Sequence, residues 1–299
     1  MTAVAPHTPA APNPAAASNP PAASNPPAAG AAVPGRTQPG VLTQLWWLLS
    51  AEWTKLRSVR STVISLLAVV GVCVGLGAAI AAGTMARWDR LPKAEHLSFE
   101  PASRSLAGLF LGQLVIGVLG SLVLSAEYST GTIRATISAS PQRVRMLAAK
   151  TLVFAAVAFA VALPTCLAAF WTAQSIYARH QVDTSLTAPG VLRVVVGGAL
   201  YLTMVGVLGI GLAAVLRHTA GAISTLFGLL LVLPILARFL PSDWQADINK
   251  YLPSNAGSGI FQLHAEPGSL APWTGFALFC GYALVVWIAG AVVLRRRDA

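Results

Sequence analysis

Charge is scarce in this chain. Asp, Glu, Lys and Arg make up 10% of its 299 residues, whereas 55% are hydrophobic and the mean hydropathy is +0.67. A soluble domain of this size carries about a quarter charged residues. One large water-soluble globule is therefore excluded, and an integral membrane protein is the class to which the composition points. Cysteine is scarcer still: Cys73, Cys166 and Cys280 are odd in number, lie in apolar runs and form no CxxC or Cys/His spacing. That excludes a disulfide framework and a zinc site, leaving small apolar packing residues. No Gly-Lys pair occurs anywhere, so the phosphate-cradling Gly-x-x-x-x-Gly-Lys-[Ser/Thr] loop is missing. ATP binding by this chain is not expected.

The first forty residues are a different material. Ten of the twenty prolines fall in 1–40, with thirteen alanines and a single charge, Arg36. Ser-Asn-Pro-Pro-Ala-Ala occurs twice in tandem, at 18–23 and 24–29. Proline removes backbone donors and fixes φ, so a disordered, partly polyproline-II cytoplasmic tail is expected over 1–40. A secretory signal is not expected, because a basic start and an apolar h-region are both missing.

After Arg60, six stretches contain no Asp, Glu, Lys or Arg: 61–86, 105–126, 151–178, 194–216, 218–237 and 267–294. At 1.5 Å per residue, each is long enough to cross about 30 Å of hydrocarbon. The runs are continuously apolar rather than alternating, which excludes a β-barrel. The fold class expected is all-α integral membrane, with six transmembrane helices over about 62–84, 106–125, 150–172, 193–216, 219–238 and 272–294. Residues 41–299 thus form one six-span domain.

The +10 net charge divides unevenly. With the N-terminus inside, the cytoplasmic segments carry about +9 and the outer segments about +1, which favours both termini in the cytoplasm. The outer loops still hold Arg87, Arg90, Arg104, Arg179 and Arg193. Because the basic residues flank spans singly or in the terminal Arg295–Arg297 run, they answer to anionic lipid rather than nucleic acid.

Ahead of the first span, Leu42, Leu45, Leu49, Trp53 and Leu56 recur at helical spacing, with Gln44, Glu52, Lys55 and Arg60 off that stripe. An amphipathic helix over 41–60 would lie in the membrane plane, with Trp46, Trp47 and Trp53 at the headgroups. A plain anchor flanking the first span reads equally well. The most charged cytoplasmic segment, 126–149, joins spans two and three. Gly131 breaks the helix leaving the membrane, Thr132 caps a new short helix, and Pro141 ends it or starts the next. Arg143, Arg145 and Lys150 then lie at the inner headgroups. A solvated basic loop that merely obeys topology is the alternative.

Glu127-Tyr128-x-x-Gly131-Thr132-x-Arg134, followed by Ser140-Pro141-x-Arg143 and Lys150, resembles the cytoplasmic loop of ABC-2-type transporter permeases. Glu52-Trp53-x-Lys55-Leu56-Arg57-Ser58 resembles the in-plane elbow helix of that family, and Leu252-Pro253-Ser254-Asn255-Ala256-Gly257 its outer re-entrant segment. The resemblance spans residue 41 to the end and leaves out the proline-rich tail.

It implies the transmembrane permease subunit of an ATP-binding-cassette exporter in the cell membrane, moving a hydrophobic or amphipathic substrate. Its partners would be two copies of a cytosolic P-loop ATPase, a second permease subunit and membrane lipid. Coupling to the ATPase would pass through Glu127, Tyr128, Gly131, Thr132, Arg134 and Arg143. Glu52, Trp53, Lys55 and Arg57 would belong to the elbow, and Pro253, Ser254, Asn255 and Gly257 to the re-entrant segment. No catalytic residue, metal or cofactor is expected. The alternative is a non-transporting six-span scaffold or sensor component.

Other membrane chemistries fit poorly. Secondary transporters and pumps keep an ionisable group at mid-membrane depth, yet no span has a central Asp, Glu, Lys or Arg. His218 sits at an inner boundary, and Gln113 and Gln174 are neutral. Ser258 and His264 fall in an outer loop, the wrong place for a buried protease dyad. Gly197, Gly198, Gly206, Gly209 and Gly211 in span four suit close helix approach, and Pro164 and Pro234 predict kinks in spans three and five.

Overall fold

The computed structural model describes residues 41–129, 143–265 and 268–296, and the expected tail over 1–40 lies outside them. No strand occurs among the described residues. Six helical segments are long and apolar enough to cross a membrane: Arg60–Met85, Leu109–Tyr128, Arg143–His180, Val191–Leu216, Thr219–Ala237 and Pro272–Arg296. All belong to one compact unit, Val41–Ala299.

The helices are α1 (Val41–Ser58), α2 (Arg60–Met85), α3 (Lys93–Leu97), α4 (Pro101–Ser105), α5 (Leu109–Ser129) and α6 (Arg143–Tyr177). They continue as α7 (Val191–Leu216), α8 (Thr219–Phe227), α9 (Leu233–Ala237), α10 (Ser242–Asn249), α11 (Pro253–Ser258) and α12 (Pro272–Arg296). The basic residues Lys55, Arg60, Arg143, Lys150, Arg217 and Arg295 gather at one end of the bundle, called here the basic end. The short helices α3, α4, α10 and α11 cover the opposite end.

Two helices extend beyond the apolar runs that mark them. Helix α5 continues through Glu127 to Ser129, and α6 starts at Arg143 rather than at residue 150. At 35 residues, α6 is about 52 Å long. The cause is that Lys, Arg, Glu and Met are good helix formers: lack of charge marks the hydrocarbon, and the helix itself runs on past it. The segment between α5 and α6 falls to residues 130–142, which lie outside the described ones.

Helix α7 is the axis of the fold, the most buried of the six crossing segments, with α5, α6 and α12 packed around it. Its small residues allow that. A Cβ on Gly120 of α5 would sit 2.1 Å from the Gly206 carbonyl oxygen, so the two backbones cross in contact. This is small-residue packing of membrane helices. Gly197 is also closely enclosed, by Ile260 at 2.7 Å, and Gly211 less tightly, by Trp287 at 3.1 Å.

The two prolines act differently. Span five is α8, a π-helical turn over Gly228–Val232, then α9, with Pro234 just after the break. A proline removes one donor and crowds the carbonyl four residues back, and a wider turn relieves both. Pro164 sits inside α6, which stays one continuous α-helix.

Candidate functional site

Four charges meet at the basic end. Lys150, two turns into α6, donates to Glu52 Oε2 at 2.6 Å and to Glu127 Oε1 at 2.8 Å. Lys55 on α1 reaches the same pair, 3.3 Å from Glu52 Oε1 and 3.2 Å from Glu127 Oε1. The Lys150 and Glu52 side chains are 3% and 6% exposed, and Lys55 is 46% exposed. Two carboxylates and two ammonium groups thus cancel where three helices converge: α1, the end of α5 and the start of α6.

Burying ions is costly, and only close pairing with further hydrogen bonds offsets the desolvation. Each carboxylate here meets both ammonium groups, which supplies that pairing. Partial burial lowers the affinity of the Lys55 ammonium for its proton, but the Glu52 and Glu127 carboxylates outweigh it. The net effect raises its pKa above the ordinary 10.5.

Lys150 therefore lies inside the bundle, where the sequence placed it at the headgroups. Glu52 also differs from its position off the apolar stripe: it is the most buried side chain described on α1, while Trp46, Trp47 and Trp53 are at least half exposed. The burial of Glu52 follows from its pairing with Lys150, 98 residues away in sequence, which leaves no trace in local periodicity. Arg57 is exposed on the same helix.

A second set of contacts binds the last helix to this cluster. Arg143 Nη1 donates to the Leu294 carbonyl at 3.0 Å, and Arg217 Nη2 to the Val293 carbonyl at 3.0 Å. Carbonyls in a helix's last turn lack intrahelical partners and carry partial negative charge, so two guanidinium groups suit them. Arg217 also lies 5.7 Å from the centre of the Tyr128 ring, a cation–π distance. It adopts φ +53°, an uncommon left-handed conformation for a residue with a Cβ, as it closes α7. Trp287 Nε1 donates to Thr151 Oγ1 at 3.0 Å. Helices α1, α5, α6, α7 and α12 are thereby joined at one end.

Of the six residues expected to couple to a partner, Glu127, Tyr128 and Arg143 are brought together here. Gly131, Thr132 and Arg134 lie outside the described residues.

At the opposite end, Pro253, Ser254, Asn255 and Gly257 form α11. Asn255 Nδ2 donates to the Asn249 carbonyl at 3.0 Å, and a Cβ on Gly257 would sit 2.7 Å from the Tyr201 ring. The segment is therefore wedged between α7 and α12. Arg193, at the start of α7, holds the turn that follows, donating to the carbonyls of Ile260 at 3.1 Å and Leu263 at 2.9 Å. By sequence Arg193 was only a cation on the less basic side; a lone cation at a span boundary was the one signal available. Gln174 does similar work: it donates to Ser105 Oγ at 2.9 Å and accepts from the Thr184 amide at 2.8 Å.

Ser258 donates to the Asn255 carbonyl, whereas His264 pairs with Glu100, so no Ser–His dyad forms. Among the described residues, no group of three His, Cys, Asp or Glu side chains is placed to hold a metal.

Residues 48–237 match the family described as ABC-2 family transporter protein. The chain belongs to that family. A search of curated proteins finds no match. The ABC-2 match takes in Glu52, Lys55, Glu127, Arg143, Lys150 and Arg217, so the whole charge cluster lies within the part of the chain the family defines. Helices α10 to α12 lie beyond it. As an ABC-2 transporter membrane component with six apolar crossing helices, the protein is a multi-pass membrane protein.

Proposed function

We propose that the chain is the permease subunit of an ATP-binding-cassette exporter, driven by a separate cytosolic P-loop ATPase that docks on the 126–149 loop. The observation that carries this reading is the charge cluster. Glu127 lies at the end of the helix entering that loop and Lys150 near the start of the helix leaving it, and Lys150 pairs with both Glu127 and Glu52 of α1. A displacement delivered to the loop therefore moves the elbow helix and both flanking spans together. Through Arg143 and Arg217 it moves the end of α12 as well.

In this reading the basic end faces the cytosol, with both termini on that side, as the positive-inside bias favours. Gly131, Thr132 and Arg134 belong to the short coupling helix seated on the ATPase, and Glu127, Tyr128 and Arg143 pass its motion to the bundle. Glu52, Trp53, Lys55 and Arg57 form the elbow, and Pro253, Ser254, Asn255 and Gly257 the outer re-entrant turn. Two permease subunits, in a homo- or heterodimer, and two ATPase copies make the working unit, and the substrate is hydrophobic or amphipathic.

The test is coupling. Gly131→Leu or Arg134→Glu should lower ATPase activity in the assembled complex while leaving membrane insertion intact. Full coupling in both variants would overturn the docking site.

A further inference from the structure

The end opposite the charge cluster holds a cleft that the coupling scheme does not use. It lies between α5, the broken fifth span and α11, with a volume of about 410 Å³, and continues into a second lobe of about 460 Å³. Pro234, Arg238, Asn255, Ser258 and Gln262 line both lobes. That size suits a small-molecule site.

The lining is divided. One wall is polar: Gln113, Tyr201, Ser254, Asn255, Ser258 and Gln262 present amides and hydroxyls. Most of these groups are held in place. Gln113 is fixed by the Tyr201 hydroxyl and the Phe110 carbonyl, and Asn255 by Asn249. Ser254 differs, being only 7% exposed with a hydroxyl that has no hydrogen-bond partner among the described residues. A buried hydroxyl left unpaired is costly, and each such group calls for an explanation. The other wall is apolar, from Leu106, Leu109, Leu230 and Leu231 out to Phe110 and Ile235, which are 56% and 47% exposed.

Charge narrows the ligand further. Among the described residues, no Asp or Glu lines either lobe, whereas Arg238 lines both. No carboxylate among the described side chains pairs with Arg238. Lys250, in the second lobe, is already paired with Asp247 at 2.9 Å.

We propose that this cleft receives the head of an anionic amphiphile, a phosphate- or sulfate-bearing lipid. Arg238 takes the anion, Ser254 and its neighbouring amides take hydroxyl or ester oxygens, and the apolar wall guides the tail out to the hydrocarbon. The proposal rests on the permease reading and names the substrate class for it.

Native mass spectrometry of the full-length chain, titrated with lysophosphatidylglycerol, monoacylglycerol or an acylcholine of equal chain length, tests it without any ATPase. Lysophosphatidylglycerol should bind about tenfold more tightly than monoacylglycerol, the value of one charge-assisted hydrogen bond. The acylcholine should bind most weakly. Arg238→Gln should remove that preference and leave monoacylglycerol unchanged. Ser254→Leu, which fills the cleft, should weaken both, and Arg179→Gln, exposed at the same end but outside the cleft, should change neither.

Equal binding of the three heads would overturn the proposal, as would equal losses in Arg238→Gln and Arg179→Gln. Displacement by inorganic phosphate would assign the site to a free anion instead. If Ser254→Leu fails to fold, the exposed Arg238 variant decides alone. Lost head-group preference with an intact ATPase complex overturns the substrate class only; retained preference with no ATPase partner overturns the permease reading only.

Discussion

Lys150 and Glu52 form an ion pair at 2.6 Å across 98 residues of sequence, with both side chains more than nine-tenths buried. The pair ties the elbow helix to the third span, and Glu127 ties both to the second.

Removing one member of a buried ion pair leaves an uncompensated charge, which costs about 3 kcal/mol or more. Lys150→Met should therefore be among the most destabilising substitutions at the basic end, even with Lys55 near both carboxylates. Adding Glu52→Gln should restore part of the loss, because the double change removes the stranded charge. Denaturant unfolding of the four proteins in one double-mutant cycle measures this coupling. Strictly additive losses would show that the pair is not coupled.

Lys55 sets the pH behaviour of the outer half of the cluster. Its pKa is raised above 10.5 by Glu52 and Glu127 after burial has worked against it. A raised basic group contributes its full stability below its unfolded value and loses it as pH climbs through the folded one. The stability difference between the wild-type chain and Lys55→Met should be flat from about pH 6 to 9 and shrink above about 10.5. The contribution itself is small, since the side chain is nearly half exposed and screened by solvent.

Contact between α5 and α7 depends on the missing side chain at residue 120. Gly120→Ala should prevent the native crossing, because its Cβ would meet the Gly206 carbonyl oxygen at 2.1 Å. Overpacking of this kind costs about 1–3 kcal/mol or more. Gly71→Ala is the matched control: nothing lies within 4 Å of its Cβ position. Thermal unfolding in detergent should separate the two variants clearly.

At the end of α12, Arg143→Ala and Arg217→Ala each free one last-turn carbonyl. Amide hydrogen exchange over residues 290–296 should rise in each and rise further in the double variant, at about 1 kcal/mol per lost bond. Unchanged exchange would show that these guanidinium groups do not hold the helix.

The six spans were legible because hydrocarbon selects against charge residue by residue, and composition reports that directly. Their true ends were less so, since α6 begins at Arg143, among residues that are polar yet favour helix. Glu127 and Arg143 could be singled out as a motif around one loop. That Glu127 shares Lys150 and Lys55 with Glu52 could not, because pairing between distant helices has no local period. Arg193 and Arg217 read as topology signals, and each proved to cap a backbone that only the folded bundle brings near. The cleft beside Arg238 was invisible for the same reason, assembled as it is from α5, span five and α11.

Isolation of the chain from its membrane shows directly whether it works with a separate ATPase. The tagged full-length chain is isolated from its native membrane, and the proteins that come with it are identified and counted by mass spectrometry. A P-loop ATPase subunit should be found at one copy per permease, hydrolysing ATP and lost on Arg134→Glu. Isolation of the chain alone, with no ATPase and no associated hydrolysis, would contradict it.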